Sequence, residues 1–254
     1  MRFRQVAWLL LLCQAVWAQS PRYLAVLCYH QIHPIAETEM VTTPKRFVQQ
    51  MDYLQSHGYQ SVSLHQAELF LAGKLPTKLV AKPVLITFDD GYDGVFRYAY
   101  PQLKKRKMKA VTFLVVSQVD RTQSTPHLTR AQVKEMAGSG VFEFGSHTYD
   151  MHVPIPERRA AGLTSAYAIE KDLTRSRVVL QGWLGKPVRS LAWPYGHYDE
   201  SCLKLARRSG FSMIFTTDYG YNFPGSGLLR IRRIRLSSDF DTVEVLRSKL
   251  ATGG

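Results

Sequence analysis

Cysteine is scarce in this 254-residue chain, at three residues: Cys13, Cys28 and Cys202. That number cannot build the dense disulfide framework of a small secreted domain. Long apolar runs are missing as well. The unbroken apolar stretch from Val6 to Cys13 is far shorter than the roughly 20 residues a membrane-spanning helix requires. Acidic residues are outnumbered, with 20 Asp and Glu against 33 Lys and Arg and a formal charge of +13. Such a surplus favours acidic partners such as nucleic acid, anionic lipid or an acidic polymer. No nucleic-acid-binding motif accompanies it, and the cluster Lys104-Lys105-Arg106-Lys107 falls at a helix end, where cations are ordinary. Repeats, low-complexity tracts and linkers are also absent, so a single domain is expected.

The first residues read as a leader. Arg2 and Arg4 precede the apolar stretch, and Val16-Trp17-Ala18 supplies small residues at cleavage offsets. A signal peptide over 1–18 and one domain over 19–254 follow from this, with an uncleaved tether as the alternative. Cys13 follows Leu10-Leu11-Leu12, which lacks the small residue expected before a lipid-modified cysteine. The mature chain is then exported, periplasmic or secreted, with no transmembrane segment after cleavage. Losing Arg2 and Arg4 lowers the charge of +13 by two. Cys28 and Cys202 remain, as one bridge or two buried thiols.

About 235 residues give ample material for a core. A first strand runs from Arg22 to Tyr29 and ends at His30. Thr43 and Pro44 open a helix carrying Phe47, Met51 and Leu54 on one face, closed by Gly58. Further strands are expected at Ser61–Leu64, Val84–Phe88, Ala110–Val116, Val141–Gly145, Val188–Trp193 and Phe211–Thr216. Helices are expected between them, at His65–Leu71, Asp93–Lys107 with a break near Pro101, Thr129–Ala137, Leu163–Leu184 and Ser201–Ser209. Alternating strands and helices predict an α/β fold with a parallel sheet, a distorted (β/α) barrel of about seven strands, with a doubly wound open sheet as the alternative. Leu229 to Leu236 places apolar residues first on odd and then on even positions. That requires a bulge between Arg232 and Arg233. The favoured reading is an edge strand with its arginines in water; the other places one arginine at the barrel mouth beside the acidic pair.

The chemistry gathers at strand ends. Val84-Leu85-Ile86-Thr87-Phe88 delivers Asp89-Asp90-Gly91 to a strand's carboxyl end, where α/β folds build their sites. The segment Ser146-His147-Thr148-Tyr149-Asp150-Met151-His152 adds two imidazoles. Five-residue spacing points them to different sides of a helix, but in a loop between Gly145 and Pro154 both can turn to one ion. Two histidines and a carboxylate suffice for a catalytic zinc, leaving a second carboxylate as base. Cobalt, nickel or iron would also suit these donors.

Thr87 to Gly91, His147 to His152 and Trp193-Pro194-Tyr195-Gly196 resemble three motifs of the polysaccharide deacetylase family, carbohydrate esterase family 4. The histidine spacing and Cys28-Tyr29-His30 resemble its exported poly-β-1,6-N-acetylglucosamine deacetylases. The resemblance runs from about Leu24 to Arg233. It implies that Asp90, His147 and His152 bind a divalent metal, that Asp89 is the general base, and that Tyr195 lends its backbone N–H to an oxyanion hole. The late motif that usually holds the acid histidine reads Leu229 to Arg233 here, so the subgroup resemblance assigns that role to His30. Ala192 stands where the family often has an arginine that orients the base, and Arg230, Arg232 or Arg233 could replace it. Asp218 is a candidate for the fourth motif. Trp193, Tyr92 and Tyr149 are candidates for stacking on sugar rings, or for the core. The implied reaction removes N-acetyl groups from an N-acetylated polysaccharide and releases acetate, and the resemblance is compatible with envelope or secretion-complex partners. Peptidoglycan or chitin deacetylation, and an inactive glycan-binding protein on the same scaffold, are the competing functions. A magnesium-binding phosphoacceptor domain fits poorly with the leader and the histidine pair.

Overall fold

The computed structural model describes residues 23–76, 80–153, 164–236 and 238–251, so the leader lies outside the described residues. Seven parallel strands close a barrel: β1 (Ala25–Tyr29), β5 (Lys82–Phe88), β6 (Ala110–Leu114), β7 (Phe142–Ser146), β8 (Ser190–Ala192), β9 (Met213–Tyr219) and β10 (Ile231–Arg235). The ring closes where β1 pairs with β5 on one side and β10 on the other. Short β4 (Tyr59–Ser61) shares an edge of β5 with β6. Two-residue strands β2 (Gln31–Ile32) and β3 (Val41–Thr42) pair separately. The barrel is the expected one. The open sheet is excluded by the β1–β5 and β1–β10 pairings.

Alternation along these strands makes two cores. Leu24, Val26, Leu85, Val111, Phe113, Ala192, Met213, Phe215 and Ile231 fill the barrel interior. Residues one step away, such as Leu27, Ile86, Ala110, Leu191 and Ile234, face the helices instead. Both faces are therefore dry, which is why the strands read as continuous apolar runs. Each fully buried Leu, Ile or Phe contributes roughly 1.5–3 kcal/mol of transfer free energy.

Helices cover the outside, and the caps expected at Thr43 and Thr129 form, joined by others at Ser63, Ser165 and Asp199. In α1 (Pro44–Ser56), Thr43 accepts from the N–H of Arg46 and proline occupies the first turn. Capping boxes start α2 (Leu64–Leu71) from Ser63 and α4 (Arg130–Gly138) from Thr129. Ser165 caps α5 (Ala166–Leu184), which ends at left-handed Gly185. Asp199 caps α6 (Glu200–Arg208). The break expected near Pro101 is a π-helical turn at Val95–Ala99, followed by α3 (Tyr100–Arg106) with Pro101 in its first turn. Not foreseen was α7 (Val243–Ala251), which buries Leu246 and Leu250. No described helix is long and apolar enough to cross a membrane. Cys28 and Cys202 are free thiols.

The edge-strand reading of the arginine-rich segment is corrected. β10 is flanked on both sides, by β1 and β9. A register shift does occur, between Ile231 and Arg233, but its extra residues belong to β9: Ile231 pairs with Phe215 and Arg233 with Tyr219. That is four steps along β9 against two along β10. The apolar switch has another cause. Ile231, Arg233 and Arg235 face inward, apolar in the core and basic at the mouth, while Ile234 and Leu236 pack outward against helices.

Candidate active site

The carboxyl ends of the barrel strands surround a cavity of about 810 Å³. Cys28, His30, Asp89, Asp90, His147, His152, Tyr195 and Arg233 are among the residues lining it. His30 follows β1, the acidic pair follows β5, His147 follows β7, and Tyr195 lies two residues beyond Trp193 at the end of β8. All six residues expected at the site are therefore brought to one place.

Backbone shape does much of this positioning. Asp90 (φ 69), Thr148 (φ 73) and Tyr195 (φ 57) occupy the left-handed region. L-residues adopt it reluctantly, and such strain concentrates at functional sites. Asp89 N–H is bonded to Tyr29 O at 2.9 Å. Beyond it the chain turns at Asp90 and Gly91, where a side chain would strike Leu114 at 2.6 Å. Thr148 reverses the chain so that His152 returns toward His147, with ring centroids 5.0 Å apart. Asp172 on α5 secures this loop by accepting from the N–H groups of Tyr149 (2.7 Å) and Asp150 (2.9 Å). No sequence signal marked Asp172.

Asp90, His147 and His152 form a three-donor set whose ligand atoms lie within 4.8 Å of one another. Asp90 Oδ1 stands 3.1 Å from His152 Nε2 and 3.4 Å from His147 Nε2. That oxygen is buried and accepts no hydrogen bond of good geometry, an arrangement otherwise costly. His147 donates from Nδ1 to Ala192 O at 2.7 Å, which directs the lone pair of Nε2 toward Asp90. Burial holds His147 down at about 4, so it is neutral and ready to ligate. For His152, burial also pulls downward, but the Asp90 carboxylate outweighs it and the net shift is upward. Donor types, the orphaned oxygen and the fixed tautomer all fit a divalent cation.

Asp89 sits beside this set in a different environment. Its two oxygens accept from Arg233 Nη1 and Nη2, each at 2.8 Å, while Arg233 Nε donates to Thr216 O at 2.7 Å. Both residues are buried. Burial alone would raise the Asp89 pKa, but the Arg233 charge, with His147 adding to it, holds it well below the carboxylate range. Arg233 thus occupies the orienting position that Ala192 leaves empty. Arg230 instead pairs with Glu200, and Arg232 is exposed. His30 has a buried Nδ1 without a hydrogen-bond partner, and burial lowers its pKa despite the nearby Asp90 and Asp89.

The aromatic candidates need correction. Trp193 is fully buried and cannot meet a sugar. Tyr149 lies under the Arg175 guanidinium at 3.7 Å, and Tyr92 packs on His127. The rings exposed at the cavity are Tyr195, stacked on His152, and Tyr219 on β9. Asp218 accepts from Tyr198 at 2.6 Å and is not among the cavity-lining residues.

The family model for polysaccharide deacetylases matches residues 77–214. A poly-β-1,6-N-acetyl-D-glucosamine N-deacetylase of Staphylococcus epidermidis is 29% identical over 205 residues, covering 79% of this chain and 70% of the relative. The solved structure of IcaB from Ammonifex degensii superposes with a TM-score of 0.79 and 31% identity, over 91% of this chain and 98% of that one. The Streptococcus pyogenes deacetylase PplD, solved with acetate, gives 0.78 and 28%, over 91% and 99%. Members of carbohydrate esterase family 4 are amide hydrolases that use a divalent metal. The barrel, the Asp90-His147-His152 group and the match over more than half its length agree: this chain belongs to the polysaccharide deacetylase family.

Proposed function

We propose that this chain is an exported, metal-dependent N-deacetylase of poly-β-1,6-N-acetylglucosamine that releases acetate, with zinc as its ion. The observation that carries this reading is the convergence of Asp90, His147 and His152 beside Asp89 and His30 in one cavity. The relative named for that polymer supports the substrate.

Asp90, His147 and His152 would hold the ion, which supplies Lewis acidity toward the amide carbonyl and lowers the pKa of water toward about 7. Asp89 accepts the proton of the attacking water. Arg233 occupies one lone pair on each Asp89 oxygen and the Cys28 thiol faces Oδ2, so the carboxylate stays ionised and aimed while a further lone pair remains on Oδ1 for that proton. His30 protonates the leaving nitrogen. Its lowered pKa makes the protonated ring a stronger acid, at the cost of a smaller charged fraction at neutral pH. The backbone N–H of Tyr195 steadies charge on the carbonyl oxygen. Tyr195 and Tyr219 offer exposed rings for sugar faces. The inactive-binder reading rested on the missing arginine, and Arg233 removes that ground.

The test is acetate release by the purified chain from a β-1,6-linked N-acetylglucosamine oligomer, a chitin oligomer and peptidoglycan, with metal content measured on the same sample. Release is expected fastest from the β-1,6 oligomer and lost in Asp89→Asn. Release confined to either other polymer replaces the substrate, and release from none overturns the enzymatic reading.

A further inference from the structure

Cys28 has no part in the reaction described above, yet its position is well defined. Period-two alternation turns Cys28 and His30 to the same inner face of the chain as it leaves β1. The pairing of Tyr29 with Phe88 then brings His30 level with Asp89 across the β1–β5 ladder. One ligand atom from each of Cys28, His30 and Asp89 lies within 4.8 Å of the others. Cys28 Sγ is 3.7 Å from Asp89 Oδ2, His30 Nδ1 is buried without a partner, and all three side chains line the cavity.

We propose that Cys28, His30 and Asp89 form a second, inhibitory site for a thiophilic divalent ion, such as excess Zn2+ or Cd2+, adjoining the Asp90-His147-His152 group. The inhibitory effect rests on the reading above, in which Asp89 and His30 move protons. Sulfur, imidazole and carboxylate together suit borderline and soft ions and are a poor set for Mg2+ or Ca2+. On binding, the thiol proton leaves to solvent and the thiolate sulfur bonds to the ion, with no change in oxidation state. The ion occupies lone pairs on Asp89 and His30 that proton transfer requires. The Arg233 cation next to Asp89 opposes a second positive charge, so this site is the weaker of the two. Activity should therefore rise with the first equivalent of zinc and fall with excess.

Titration of the metal-free full chain with cadmium chloride tests the site directly, through ions bound at equilibrium and the ultraviolet absorption of a thiolate–cadmium bond. Two ions per chain are expected, the second bringing the absorption, whereas Cys28→Ser binds one without it. His30→Asn keeps the thiol and should weaken the second ion about tenfold or more, so the outcome does not depend on one variant folding. Inhibition of acetate release by excess zinc, each variant measured against its own activity at one equivalent, should require about tenfold more zinc in Cys28→Ser. A single ion with no thiolate absorption overturns the site. Equal zinc inhibition of wild type and Cys28→Ser overturns its inhibitory role. Two ions with the absorption but no acetate from any polymer leaves the site standing and removes the proposed function instead.

Discussion

Arg233 and Asp89 form a bidentate pair, two bonds of 2.8 Å, across 144 residues of sequence. They reside on β10 and just after β5, with β1 between those strands in the barrel. Both charges are almost wholly withdrawn from bulk water, so each depends on the other to offset its desolvation. The pair fixes the ionisation of Asp89 and the aim of its carboxylate together.

Removing the guanidinium should expose that dependence. Arg233→Ala leaves a buried, uncompensated carboxylate and should cost about 3–5 kcal/mol in chemical denaturation. Arg233→Lys keeps the charge but not the planar fork. It should fold while kcat for acetate release drops by about tenfold or more, with KM changing less. A Lys variant with wild-type kcat would show that orientation by the fork is unimportant.

Asp172 braces the loop between His147 and His152 from outside the donor set. Asp172→Ala frees the N–H groups of Tyr149 and Asp150 between the two histidines. Metal affinity should fall about 10–100-fold, with kcat largely restored at saturating metal. Competition against a chromophoric chelator reads the affinity. A loss of kcat that added metal does not recover would contradict a role confined to the loop.

The metal-free chain should be acid-sensitive through His147. Its folded pKa of about 4 lies below the ordinary 6.5, so between those values the unfolded chain binds a proton that the folded chain does not. Stability therefore falls as pH drops from 6.5 to about 4, by up to roughly 3 kcal/mol, and this contribution is flat outside that window. Denaturant titrations across the window measure it, and His147→Gln should flatten the slope.

His30 should control the alkaline side of activity. As acid it must be protonated, and its lowered pKa moves the loss of activity to lower pH than for an unperturbed histidine. His30→Asn should lower kcat by about 10²–10⁴-fold and abolish the alkaline limb. If the limb persists in the variant, another group donates the proton.

Residues whose roles depend on their immediate neighbours were legible in the sequence. The strand leading to Asp89 and Asp90, the helix caps at Thr43 and Thr129, and the histidine pair are marked by local patterns. Arg233 could not be singled out from Arg230 and Arg232, because inward basic residues at a barrel mouth and outward ones on an edge strand share the same alternation. Closure of the ring distinguishes them, and closure is a long-range property. Trp193 looked able to meet a sugar because the motif around it is at the site, but its side chain belongs to the core. Asp172 is a single carboxylate within a helix, 22 residues from the loop amide of Asp150 that it binds. The spacing of Leu246 and Leu250 is a helical signal for α7, but two apolar positions are too few to set it apart from a loop.

The clasp between β1 and β10 has a temporal consequence. His30 arrives with the first strand and Arg233 with the last, so a nascent or truncated chain ending before residue 231 has an open barrel and an unaccompanied Asp89. Pairing that spans nearly the whole polypeptide is slow to form. Competence and completion should therefore coincide: the molecule switches on only as its final strand zips shut, and partly made copies stay silent.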